Sequence, residues 1–189
     1  MSTTKNKYNA FFLTVTGVLA ALACVSNLIR IPLGESKISI SNAVCLLCGL
    51  IVGPGAGFLS AGLGNFLYDI FTGYGYESII TFVSKGAIAL VAAVLTKKIR
   101  KGPRIETGDY PRLWIACALG ALTYVALYML KTFIFGLTVN GLTMEGTLAK
   151  MGAKLPASMI NAVFATVVSP AFYIAVIPAL RHTGVLEKM

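Results

Sequence analysis

Between Tyr8 and Leu180 the chain is a succession of long apolar runs, broken by short polar or glycine-rich segments. A helix needs about 20 apolar residues to cross the hydrocarbon core of a bilayer. The runs predict six membrane spans, at about 8–29, 38–52, 56–72, 78–96, 113–137 and 155–180. The second and third are short and are separated by Gly53-Pro54-Gly55. Two short helices fit that break better than one re-entrant segment, because a Pro-Gly turn needs a place where backbone groups are satisfied. Only 12% of the 189 residues are charged and 57% are hydrophobic, whereas a soluble domain averages about 25% charged residues. Such a chain cannot cover a water-facing surface, which excludes a soluble globular fold. Disorder is excluded too, since its signature is low hydrophobicity. The expected architecture is all-α: a single transmembrane domain over 1–189, built as a bundle of six helices. Lys5 and Lys7 precede the first run, which is too long for a signal-peptide h-region and reads as the first span.

The basic residues set the expected orientation, because short cytoplasmic loops collect Lys and Arg. Six spans put both termini on one side. That side receives Lys5, Lys7, Arg181, Lys188 and the basic loop Lys97–Arg112, ten of the 16 basic residues. The other side receives four, Arg30, Lys37, Lys150 and Lys154, while Lys85 and Lys131 fall inside spans. Both termini are therefore expected in the cytoplasm. The net charge of +9 is read as topology signal and lipid-headgroup contact, not as a nucleic-acid surface.

Ionisable groups inside a membrane are costly and usually mark a pathway or a binding site. With this topology, Asn27 and Arg30, then Asn65, Tyr68 and Asp69, then Ser84 and Lys85, then Tyr128, Lys131 and Thr132, and finally Ser158 and Asn161 all fall in the outer half. The inner halves are nearly free of charge. A few polar groups within an apolar, aromatic wall are what a solute cavity open to the outside requires. The candidate contacts are Asn65, Asp69, Lys85, Lys131 and Asn161, with Tyr68, Tyr74 and Phe82 as wall or stacking residues. Lys85 favours an anionic or carbonyl-bearing group, and Asp69 accepts from a ring N–H. The competing reading pairs Asp69 with Lys85, lets Lys131 snorkel to the interface, and uses the asparagines as helix glue.

Small residues recur at four-residue spacing, which lets helices approach closely in lipid. In the first span two such faces, Gly17-x-x-x-Ala21 and Ala20-x-x-x-Cys24, are candidates for packing within the bundle or for docking another membrane subunit. The four cysteines, Cys24, Cys45, Cys48 and Cys117, lie in apolar runs and read as small buried hydrophobes, despite the CxxC spacing of Cys45 and Cys48. The single histidine, His182, sits in the C-terminal tail, so neither a Ser/His/Asp set nor a histidine metal site is expected within a span. No phosphate-cradling P-loop motif is present, so this chain does not hydrolyse ATP. An enzyme and a resident cofactor are not expected.

The ordered series from Lys37 to Asn42 (KISISN), Gly49 to Gly57 (GLIVGPGAG), Gly62 to Asn65 (GLGN), Leu67 to Ile70 (LYDI), Gly73 to Tyr76 (GYGY) and Thr81 to Gly86 (TFVSKG) resembles the substrate-binding S component of energy-coupling factor (ECF) vitamin transporters. It is most similar to the riboflavin-type group, which includes proteins assigned to hydroxymethylpyrimidine or pyridoxine-like substrates. The resemblance covers most of the chain by length and span count and is sharpest over about residues 37–90. It implies capture of a water-soluble vitamin or related heterocycle from outside a prokaryotic cell. A transmembrane T component and two cytoplasmic ATPases would then supply the energy, and the S component would topple in the bilayer. It further implies that a small-residue face of the first helix meets the T component, and that the segment from Arg30 to Lys37 covers the pocket.

An autonomous secondary carrier or channel is the alternative. It favours an ionisable relay reaching both sides or paired inverted repeats, and the sequence offers neither. A membrane enzyme lacks a catalytic set, and a scaffold has no use for a convergent polar layer.

Overall fold

Gly53 divides the second long apolar stretch into two helices. Its φ of 91° lies in the left-handed region, where a residue without Cβ is at no steric disadvantage. Pro54 then opens the next helix, at a position whose N–H has no intrahelical partner in any case. The computed structural model describes residues 2–33, 36–101 and 108–182. In chain order it contains α1 (Ser2–Ser26), β1 (Arg30–Leu33), β2 (Ser36–Ser39), α2 (Ser41–Val52), α3 (Pro54–Phe71), α4 (Glu77–Leu95), α5 (Lys97–Lys101), α6 (Asp109–Thr138) and α7 (Met144–His182).

The helical architecture follows the apolar runs, with three differences. First, the segment entering the second predicted span is not helical. Strands Arg30–Leu33 and Ser36–Ser39 pair antiparallel, Ile31 with Ile38 and Pro32 with Lys37, so α2 starts at Ser41 instead of about residue 38. The alternation of Lys37, Ile38, Ser39 and Ile40 is a strand period inside an apolar run. Second, α7 is a 39-residue helix that begins at Met144 and continues to His182, well outside the predicted span of about 155–180. Hydropathy locates the part of a helix that suits lipid and is blind to a polar extension of the same helix. Third, the predicted basic loop begins as the short helix α5; residues 102–107 lie outside the described residues.

Three helices are long and apolar enough to cross a membrane, Glu77–Leu95, Asp109–Thr138 and Met144–Leu180. Helix α2 has 12 residues, about 18 Å at 1.5 Å per residue. It is buried on nearly all sides and packs against α1, α3, α4, α6 and α7. Glycines set how closely its neighbours approach. A Cβ on Gly49 would run into the Ala89 backbone of α4, and one on Gly64 would run into the Ala20 carbonyl of α1. The core is built from Leu46, Leu50, Ile88, Ala89, Leu113 and Tyr173. Cys45, Cys48 and Cys117 are free thiols buried within it, and Cys24 is half-buried.

The contact at Gly64 separates the two small-residue faces of α1. Ala20, Ala23 and Cys24 lie against Gly64 of α3, so the Ala20-x-x-x-Cys24 face is spent inside the bundle. Gly17 and Ala21 are exposed, and a Cβ on Gly17 would meet nothing within 4 Å.

Candidate functional site

At one pole of the bundle α1, α3 and α6 end and α2, α4 and α7 begin. A cavity of about 620 Å³ opens there, within the roughly 300–1,000 Å³ of small-molecule sites. Tight turns frame it: Gly73 and Gly75 take φ values of 79° and 53°, and the Tyr74 N–H returns to the Asp69 carbonyl at 2.9 Å. This brings Tyr74 to the rim one turn after Asp69.

The floor is an amide network. Asn65, only 1% exposed, accepts from Asn27 Nδ2 at 2.9 Å and from Ser41 Oγ at 2.8 Å. Its own NH2 group donates to the Ala61 carbonyl at 2.8 Å and to Cys45 Sγ at 3.2 Å. A primary amide has two donors and two acceptor lone pairs, so all four are engaged. Asn65 ties α1, α2 and α3 together beneath the cavity and has no polar capacity left for a solute.

Lys85 reaches across from α4 and donates to Asn42 Oδ1 at 2.5 Å and Ser41 Oγ at 3.3 Å. Its ammonium also sits 4.6 Å from the Tyr124 ring centroid. Two of its three N–H donors are thereby used, and the residue still lines the cavity. The sequence-based pairing of Asp69 with Lys85 is not formed. Asp69 is 8% exposed, lines the cavity, and its carboxylate has no hydrogen-bond or ion-pair partner among the described residues. Lys131 is not free to snorkel: it pairs with Glu77 at 2.5 Å.

Aromatic faces carry three further cations. Lys37 lies 5.2 Å from the Tyr68 centroid and 5.6 Å from that of Tyr74. Arg30 lies 6.0 Å from Tyr68, and Lys154 lies 5.8 Å from Tyr128. Burial, followed by repulsion from Lys85 and Arg30, holds the Lys37 ammonium below the usual lysine range.

Of the residues singled out in the sequence, Asn65, Asp69, Tyr74, Lys85 and Lys131 meet at this one cavity. Tyr68 is buried just behind it, with its ring under Arg30 and Lys37 and its hydroxyl unpartnered among the described residues. Phe82 is elsewhere: it packs edge-on against Phe58 and Phe66 over Gly62, in the α3–α4 interface. Asn161 does not line the cavity either. It clamps the hairpin, accepting from Ser39 N–H at 2.9 Å and donating to the Lys37 carbonyl at 2.8 Å. The sequence reading passed over Arg30, Lys37, Lys150 and Lys154 as site residues. The signal for them was present, since these are the four basic residues assigned to the side that should carry few.

A family model described as "ECF-type riboflavin transporter, S component" matches residues 8–177. No curated protein sequence matches the chain. Among solved structures, one described as "Structure and mechanism of the S component of a bacterial ECF transporter" superposes with a TM-score of 0.68 at 18% identity, covering 94% of this chain and 99% of that one.

Proposed function

This chain belongs to the ECF-type riboflavin transporter S component family, and on that premise we propose that its polar cavity captures a water-soluble vitamin or related heterocycle. Riboflavin, pyridoxine-like compounds and hydroxymethylpyrimidine are members of that class, which extends to other vitamins and nucleobase-like solutes. The protein sits in a prokaryotic plasma membrane with six crossings and both termini cytoplasmic, so the cavity faces outward. It hands its cargo to a T component and two cytoplasmic ATPases and performs no chemistry itself.

The observation that carries this reading is a cavity assembled from the ends of five long helices and the hairpin strands, with a satisfied amide floor and an aromatic wall. Tyr74, Tyr124 and Tyr128 line it as an aromatic wall, with Tyr124 and Tyr128 stacked on each other, and Asp69 offers a carboxylate to a ring N–H. The hairpin lies over the cavity through Pro32 and Lys37, in keeping with a cover that admits and retains the solute. The exposed Gly17-x-x-x-Ala21 face of α1 is the surface proposed to meet the T component, because small residues permit close helix approach in lipid.

The test is coexpression with the T component and ATPases of the same cell. Copurification of the four subunits, with a vitamin released on denaturation and identified by mass spectrometry, is the expected result. Purification of the chain alone, empty, and without effect on uptake of any vitamin would overturn the reading. Orientation is checked separately. Lys98→Cys should react with a membrane-impermeant thiol reagent only after the cells are opened.

A further inference from the structure

Among the described residues, six basic side chains line the cavity: Arg30, Lys37, Lys85, Lys131, Lys150 and Lys154. They face two described carboxylates, Asp69 and Glu77, an excess of four positive charges among these residues. These six are all the basic residues that the charge-asymmetry argument leaves outside the cytoplasmic set. Four lie on the side that such proteins keep poor in Lys and Arg, and two lie within spans where a charge is costly. Topology therefore gives no reason for any of them, yet all six converge on one cavity. The sequence separation between Arg30 and Lys154 makes this convergence a property of the tertiary structure.

Internal pairing does not explain the excess. Glu77 is committed to Lys131, and Lys85 is held by neutral groups, Asn42 and Ser41. Arg30, Lys37, Lys150 and Lys154 make no salt bridge among the described residues, and Asp69 acts on Lys37 and Lys85 only through space. Lys37 and Lys154 instead rest over tyrosine faces, which orients an ammonium without neutralising it. Like charges gathered in a partly enclosed space repel one another, and an anion placed among them relieves that repulsion. Asp69 is more than nine-tenths buried, lines the cavity and accepts no hydrogen bond among the described residues, so it offers acceptor capacity to a donor on the same solute.

Resting on the proposed role as a solute-capturing S component, we infer that the cargo is an anion, a ring compound bearing a carboxylate or a phosphate ester together with an N–H or O–H donor. The anionic oxygens lie among Lys37, Lys150 and Lys154 near the mouth, and the donor reaches Asp69 on α3. A neutral vitamin leaves this positive excess uncompensated.

The experiment uses the full chain in nanodiscs of a zwitterionic lipid, with calorimetry at neutral pH on matched probes: riboflavin against its phosphate ester, pyridoxine against its phosphate ester, and nicotinamide against nicotinate. The expected result is that, in at least one pair, the anionic member binds about tenfold or more tighter, equivalent to roughly 1.4 kcal/mol. That preference should weaken at high salt and shrink in Lys37→Gln and Lys154→Gln. The carboxylate and phosphate arms separate the two sources of anionic oxygen. The inference is overturned if neutral members bind as tightly as their partners, if no anionic probe binds, or if both lysine variants keep the full preference. Tight binding of a neutral vitamin would leave the S-component reading standing, whereas failure to copurify with the T component would strike that reading alone.

Discussion

Asn27 donates to Asn65 across 38 residues of sequence, Nδ2 to Oδ1 at 2.9 Å, and closes the floor of the cavity. Because Ser41 meets the same oxygen, one amide holds three helices in register. Removing it should cost stability first and affinity second. Asn65→Ala strands the Asn27 and Ser41 donors in a buried site, at about 1–3 kcal/mol each. Thermal unfolding in detergent should fall by several degrees, and an unchanged midpoint would refute the structural role.

The hairpin clamp predicts a kinetic effect. Asn161→Ala removes two hydrogen bonds to the backbone of β2, worth about 1 kcal/mol each. Dissociation of bound solute, followed by stopped-flow tyrosine fluorescence, should quicken roughly tenfold or more, with the melting temperature lowered far less than in Asn65→Ala.

Lys37 predicts a pH dependence. Its folded-state pKa is depressed by burial and by Lys85 and Arg30, so between that value and the ordinary lysine value of 10.5 the unfolded chain binds more protons. Stability of the empty protein should rise with pH through that window. Affinity for an anionic solute should move the opposite way, falling as the Lys37 ammonium is lost. Lys37→Gln should flatten both trends in titrations run from neutral pH to about pH 10.

Two glycines on facing helices separate packing from docking. Gly64→Ala places a methyl against the Ala20 backbone of α1. Backbone cannot yield as a side-chain tip does, and overpacking of this kind costs about 1–3 kcal/mol or more. Gly17→Leu meets nothing in the bundle. It should leave melting and solute binding intact while abolishing copurification with the T component; if the complex survives, the docking face is elsewhere.

The sequence was informative wherever the property is local. Apolar runs located the helices, and Gly53-Pro54 separated α2 from α3. Asp69, Lys85 and Lys131 stood out because ionisable residues inside apolar runs need a reason. It was uninformative about partners. Lys131 chose Glu77, a residue that hydropathy leaves at a helix edge, and Asp69 was left without the Lys85 contact that simple charge pairing suggested. Phe82 and Asn161 carried the right chemistry at the right height, and only the rotation of α4 and α7 about their axes turned one toward Phe58 and the other toward the hairpin.

Composition and the one-dimensional pattern of apolar and basic residues thus determined by themselves that the chain is a helical membrane protein with its polar residues gathered toward one pole. Tertiary structure alone decided which side chains face the cavity, because that depends on helix rotation and on how closely Gly49 and Gly64 let α4 and α1 approach. It also brought together Arg30, Lys37, Lys150 and Lys154, which are unremarkable one at a time and form a concentrated positive field only when packing places them around the same space.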